Sequence, residues 1–188
     1  LVNEVANECF MPLTFGGGIK INDDISNLLK AGADKVCINS EATINLELVK
    51  KACKIFGSQC IVISIDYKID QNKERIIYSN SGKKKTSLIF KDYIKEIEDS
   101  GAGEIILTSI DRDGTMKGYD CETISYASKL TNLPMIASGG AGDLNNIIEL
   151  INCSEISGLA ASSIYHFTNK TPLDIKKFLF SKKIPVRL

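Results

Sequence analysis

The sequence lacks the features that mark membrane-bound, secreted and nucleic-acid-binding proteins. Its 188 residues carry 23 basic and 23 acidic side chains, so no overall field draws the chain to nucleic acid or to a charged membrane surface. No apolar run approaches the roughly 18 residues of a transmembrane helix, and the start resembles no signal peptide. We therefore expect a cytoplasmic protein with neither a nucleic-acid nor a membrane partner.

Metal-ligand patterns are also missing. The six cysteines show no C-x-x-C pair and no metal-ligand spacing, so we interpret them as small buried hydrophobic side chains in a reducing compartment. The single histidine, His166, follows a predicted strand, and we expect a structural role for it. The sequence predicts no metal site and no cofactor.

What the sequence does contain is a regular alternation of strand-like and helix-like segments. Short apolar runs, such as residues 35–38 and 60–65, predict buried strands, and the amphipathic segments between them predict helices. A strand is also predicted over residues 10–15, and a hairpin over residues 72–86 with its turn at 80–82. No linker or low-complexity tract interrupts the pattern. We therefore expect six parallel strands and one domain over residues 1–188.

The segment 104–120 carries the strongest local signal. An apolar strand, 105–107, runs into a charged turn at 111–115, and a helical pattern resumes after Gly118. In an α/β barrel such a loop at the carboxyl end of a strand is where chemistry occurs. The alternative is a polar turn that is rich in Asp and Gly for conformational reasons alone.

Two halves of the chain repeat a glycine-rich loop followed by small polar residues on the next strand. Gly18 belongs to the first glycine-rich loop, which is followed by Asn39 and Ser40, and Gly140 to the second, which is followed by Ser162 and Ser163. Glycine allows a phosphate to approach backbone N–H groups at a helix N-terminus. The alternative is that both loops are ordinary turns. Two such loops predict a substrate with a phosphate at each end.

Several segments together resemble the cyclase subunit of imidazole glycerol phosphate synthase over the whole chain. The segments are PLTFGGGIK, AGADKVCINS, FGSQCIVISID, GAGEIILTSIDRDGTMKGYD, LPMIASGGAG and KIPVRL. The resemblance implies a (β/α)8 TIM barrel and an enzyme of the lyase class. It also implies ammonia supplied by a glutaminase subunit in a heterodimer, and a bisphosphate substrate, phosphoribulosyl-formimino aminoimidazole carboxamide ribonucleotide. The products would be imidazole glycerol phosphate and aminoimidazole carboxamide ribonucleotide, in histidine biosynthesis.

The resemblance also implies roles for individual residues. Asp66 matches one of two acid–base carboxylates, the alternative being a polar residue that ends a strand. Lys35 and Glu104 match half of a charged ring at the ammonia entrance, the alternative being solvated charges at strand starts. The remaining matches are phosphate-binding residues: Gly18, Asn39 and Ser40 at a first site, and Asp113, Gly114, Gly140, Ser162 and Ser163 at a second.

One departure from the family pattern is large. The family carries two further βα units at the start, and the first of them holds the other catalytic carboxylate. We therefore expect a barrel fragment with open sheet edges that is inactive alone. Three alternatives stay open: a cyclase-like paralogue that works with an amidotransferase on surface sugars, the related phosphoribosyl aldose–ketose isomerase, and an inactive phosphate-binding scaffold.

Overall fold

A computed structural model describes residues 2–186, so Leu1 and the last two residues of the KIPVRL ending lie outside the described residues. The strands are β1 (Thr14–Gly16), β2 (Lys35–Ile38), β3 (Ile61–Ile69), β4 (Arg75–Ser79), β5 (Lys84–Ile89), β6 (Glu104–Ser109), β7 (Met135–Ser138) and β8 (Gly158–Ala160). The helices are α1 (Val2–Glu8), α2 (Asn22–Lys30), α3 (Glu47–Phe56), α4 (Phe90–Asp99), α5 (Cys121–Ser128), α6 (Leu144–Cys153), α7 (Ser163–Phe167) and α8 (Pro172–Ser181). Among these described residues no helix is long and apolar enough to cross a membrane.

Six of the strands form a parallel sheet in the order β1-β2-β3-β6-β7-β8. The sheet curls into a half-barrel, as a TIM-type fold requires. The prediction of an α/β fold with six parallel strands is therefore confirmed. The relation of this half-barrel to a complete eight-stranded barrel stays a prediction, and so does its assignment to a single domain.

The centre of the core is formed by β3 and β6, which pair over six residues. Ile61, Val62 and Ile63 are consecutive and all fully buried, as are Ile105 and Leu107 on β6. Strands buried on both faces have continuous apolar runs, because helices cover the sheet on its outer side. Burial of each such side chain contributes about 1.5–3 kcal/mol to the stability of the fold, so these two strands form the most strongly stabilised part of the sheet.

An antiparallel hairpin, formed by β4 and β5, extends from the parallel sheet after β3. Asn80, Ser81 and Gly82 form its turn, with φ angles of 52°, 56° and 75°. The predicted hairpin and the position of its turn are thus confirmed. Because β3 continues to Ile69 in order to pair with β4, Asp66 lies within a strand and not at its last residue, which corrects the sequence-based expectation.

Two other expectations differ from the structure. The first predicted strand is shorter, since β1 begins only at Thr14 and Phe10 is fully exposed. Among the described residues β1 pairs with β2 alone, and Pro12 has no N–H to donate. The Leu13 carbonyl accepts from the N–H groups of Asp34 and Lys35, but residues 10–12 lie outside the strand. The six cysteines are free and only half-buried, so the expectation of buried side chains was wrong in extent, although Cys53, Cys60 and Cys153 do pack against the core.

Candidate active site

The predicted phosphate-binding residues and Asp66 lie at one edge of the parallel sheet. Each phosphate-site residue follows the carboxyl end of its strand, and parallel strands bring these ends together. Asp66 pairs with Thr108, one residue before β6 ends, so it reaches the same edge although β3 continues. Two cavities open there, and between them they contact all nine of these predicted residues.

The first cavity has a volume of about 530 Å³ and is lined by the 16–18 loop, Asn39, Ser40 and Asp66. Gly17 and Gly18 have φ angles of 109° and 71°, a region that favours glycine. A Cβ at either position would meet no atom within 4 Å. Glycine is therefore required here by backbone conformation, and its backbone faces open space that a ligand can occupy.

The small polar side chains of this cavity are held by hydrogen bonds. Asn39 Nδ2 donates to the Ser64 carbonyl at 3.1 Å, and Ser40 Oγ donates to Asn39 Oδ1 at 3.3 Å. Ser40 Oγ also accepts from the Asn80 N–H at 3.0 Å. The two side chains thus have fixed positions beside the glycine loop, as a preorganised anion site requires.

Asp66 is half-buried in the same cavity, where the Ser64 hydroxyl donates to its Oδ1 at 3.1 Å. Burial raises the pKa of Asp66, and the negative charge of Asp113 raises it further. Hydrogen bonds from Ser64 and Asn39 act in the opposite direction and lower this pKa. A carboxylate whose pKa is raised above the ordinary value is a stronger base than an ordinary aspartate, which favours proton uptake by Asp66.

The second cavity is smaller, about 120 Å³, and contains all five residues predicted for the second phosphate site. Its glycine loop is also a packing element. Gly118 N–H donates to the Gly140 carbonyl at 2.7 Å, and a Cβ on Gly140 would lie 2.1 Å from the Gly118 carbonyl oxygen. Close contact between two loops therefore requires glycine at position 140 even without a ligand.

Lys35 and Glu104 lie at the opposite, amino edge of the sheet, as predicted. Each is the first residue of its strand, and Lys35 Nζ donates to Glu104 Oε2 at 2.7 Å. The pair is part-buried, with the Glu104 side chain only 13% exposed. The two charges therefore form a defined ion pair, in contrast to the alternative of independently solvated side chains.

Sequence reasoning missed several contributors to the site. Ser64 precedes Asp66 by two residues, and the two-residue period of a strand places both side chains on one face. This spacing in the sequence could have predicted the contact between them. Asn80 and Ser81 were assigned to a peripheral hairpin, yet they line the first cavity. Cys37 also lines it, but burial raises the pKa of its thiol to about 12, so it is not a thiolate nucleophile.

Within residues 2–186 no group of three or more potential ligand side chains is placed to hold a metal ion. Asp120 is buried just after the 111–118 loop, where it accepts from the Tyr67 hydroxyl at 2.9 Å and from Thr123 N–H at 3.2 Å. This contact joins β3, directly after Asp66, to the start of α5.

Comparisons with known proteins agree with this geometry. The histidine biosynthesis protein family matches residues 1–171. The imidazole glycerol phosphate synthase subunit HisF of Dictyoglomus thermophilum is 48% identical over this whole chain, which covers 74% of that protein. The HisF subunits of Wolinella succinogenes and Natranaerobius thermophilus are 46% and 43% identical, again over the whole chain and 74% of their own lengths. The chain therefore belongs to the HisF family, the enzymes that form the cyclase subunit of imidazole glycerol phosphate synthase in histidine biosynthesis.

Proposed function

We propose that the carboxyl edge of the half-barrel binds phosphoribulosyl-formimino aminoimidazole carboxamide ribonucleotide by both of its phosphates. The observation that carries this proposal is that two cavities, each lined by one glycine-rich loop and small polar side chains, open at the same edge. A bisphosphate that engages both would be held across the mouth of the barrel. Its reacting centre would then lie between the cavities, near Asp66.

Asp66 is the proposed acid–base group. Ring closure needs a proton transferred at the bond that forms and at the bond that breaks, when the incoming ammonia nitrogen enters the imidazole ring and aminoimidazole carboxamide ribonucleotide leaves. The raised pKa of Asp66 and the fixed hydrogen bond from Ser64 support this role. No metal or cofactor is needed for these steps.

The amino edge is the proposed site of ammonia delivery by a glutaminase subunit. The Lys35–Glu104 pair lies there, and its 2.7 Å contact would have to open for a molecule to pass between the two side chains. Phe10 and Met11 precede β1 and are 100% and 72% exposed, so this edge presents apolar surface suited to a protein partner. The proposed assembly is a cytoplasmic heterodimer that needs neither nucleic acid nor a membrane.

An assay with two substrates tests the proposed function against the isomerase alternative. The full-length protein is incubated with an ammonium salt and either the ketose bisphosphate or its aldose precursor. We expect release of imidazole glycerol phosphate and aminoimidazole carboxamide ribonucleotide in equal amounts from the ketose, and no reaction with the aldose. Conversion of the aldose to the ketose without product release would favour the isomerase and contradict the proposal.

A further inference from the structure

The turn of the β4–β5 hairpin has an unusual backbone. Asn80, Ser81 and Gly82 all adopt left-handed φ angles in succession, and only one of the three is glycine. A non-glycine residue in this region costs on the order of 1 kcal/mol, and such strain is concentrated at functional sites. Asn80 and Ser81 also line the first cavity, beside Ser40 and Asp66.

Contacts on three sides hold this turn over the cavity. The Asn80 N–H donates to Ser40 Oγ at 3.0 Å, and a Cβ on Gly82 would lie 3.2 Å from Ile110 Cδ1. Antiparallel pairing of Tyr78 with Asp66 joins the hairpin to the candidate catalytic residue. The position of the turn is therefore fixed relative to both loops at the carboxyl edge.

The turn presents hydrogen-bond donors that have no protein acceptor. Within residues 2–186, the N–H groups of Ser81 and Gly82 and the Ser81 hydroxyl make no hydrogen bond to the protein. Lys83 N–H, by contrast, bonds back to the Ser79 carbonyl at 3.1 Å. Successive free N–H groups in a turn form a concave site for an anion.

We propose that residues 80–82 are a third binding element for the phosphate in the first cavity, in addition to the glycine-rich loop and the Asn39–Ser40 pair. Ser81 contacts the phosphate oxygens through its hydroxyl and backbone N–H, and Gly82 contributes a further N–H. A phosphate accepts hydrogen bonds at every oxygen, which matches the unpaired N–H and hydroxyl donors of this turn. The proposal rests on the proposed function, because it assumes that this cavity binds phosphate.

A matched pair of substitutions tests it: Ser81→Asp at the turn and Ser87→Asp on β5 of the same hairpin. Both positions are exposed and both changes add one negative charge, but only Ser81 lines the cavity. Asp tolerates the left-handed backbone better than most residues, so the turn can keep its shape. The measured quantity is the KM for the bisphosphate substrate in the full-length protein with saturating ammonium.

We expect Ser81→Asp to raise KM about tenfold or more, because the new carboxylate repels a phosphate within a few ångströms. Ser87→Asp should leave KM within twofold of the unmodified protein. The added charge acts on the bound phosphate in the ground state and the transition state alike, so kcat should change little. Equal KM values for the two variants would overturn the proposal.

A third variant, Ser40→Ala, separates this proposal from the proposed function. If Ser40→Ala raises KM and Ser81→Asp does not, the cavity binds phosphate but the hairpin turn takes no part in binding. If neither variant raises KM, the first cavity is not a phosphate site, and the proposed function fails together with this inference. If Ser40→Ala and Ser81→Asp each raise KM and Ser87→Asp leaves it unchanged, the result supports the proposed function and the role of the hairpin turn.

Discussion

Replacing Asp66 with asparagine removes the proposed acid–base group and little else. Asparagine has nearly the same size and can still accept the Ser64 hydroxyl, which now contacts Asp66 Oδ1 at 3.1 Å. It cannot take up or release a proton at neutral pH. General acid–base catalysis contributes about 10²- to 10⁴-fold in rate, so we expect Asp66→Asn to lower ammonium-driven kcat by at least about 10²-fold.

The pKa of Asp66 fixes the sign of the effect on stability. Burial raises this pKa above the ordinary value of 3.8, so the folded protein holds the proton more tightly than the unfolded chain does. The contribution of protonated Asp66 to stability is complete below the pKa that this residue has in the unfolded chain, and it is lost as pH rises through the pKa of Asp66 in the folded protein. At neutral pH the charged Asp66 is therefore destabilising, and Asp66→Asn should unfold at the same temperature as the unmodified protein or higher.

The assay compares turnover of the bisphosphate with ammonium for the full-length protein and for Asp66→Asn, together with thermal unfolding of both at pH 7. The raised pKa also places the acid limb of kcat/KM at higher pH than an ordinary aspartate would give. Loss of activity with undiminished unfolding temperature is the expected result. Retention of more than about a tenth of normal turnover would refute the acid–base role.

Three further predictions concern the other contacts. Lys35→Ala should spare turnover driven by ammonium but reduce turnover driven by glutamine with the partner subunit, and equal losses in both assays would contradict a role in delivery. Gly140→Ala should lower the free energy of unfolding by about 1–3 kcal/mol more than Gly114→Ala in a denaturant titration, because only the first Cβ clashes with a neighbouring loop. Tyr67→Phe should cost about 1–3 kcal/mol, also measured by denaturation, because buried Asp120 loses a hydrogen bond; an unchanged midpoint would mean that this contact is dispensable.

The parallel sheet could be predicted from the sequence because its signals are local. Residues 61–63 are consecutive, apolar and fully buried, which requires that both faces of the strand are covered, and the residues that follow them must reach the carboxyl edge. The short β1 could not be predicted in the same way. An apolar segment such as 10–13 forms a strand only if a neighbouring strand offers free backbone groups for pairing. Which strands are neighbours is a property of the whole sheet and cannot be deduced from the segment itself.

Parts of the candidate site could be predicted from the sequence where a residue type is required by the backbone conformation of the same loop that lines a cavity. Gly17 and Gly18 combine left-handed backbone with open space, so backbone conformation alone requires glycine there, and the open space agrees with the ligand-binding loop that we propose. Gly140 shows the limit of this argument, because the close approach of the 116–118 loop alone demands glycine there. The proximity of Ser81 to Ser40 was not predictable, since the two are distant in sequence and meet only because β4 folds back on β3.

Simultaneous engagement of two phosphates is the central claim, and binding measured by calorimetry tests it most directly. The full-length protein is titrated with the bisphosphate substrate in the absence of ammonium, and separately with each of the two monophosphate products. Because both ends are anchored at once, the bisphosphate should bind about 10²-fold more tightly than either monophosphate, or more. Equal affinity for all three ligands would contradict the claim that the two cavities hold one substrate.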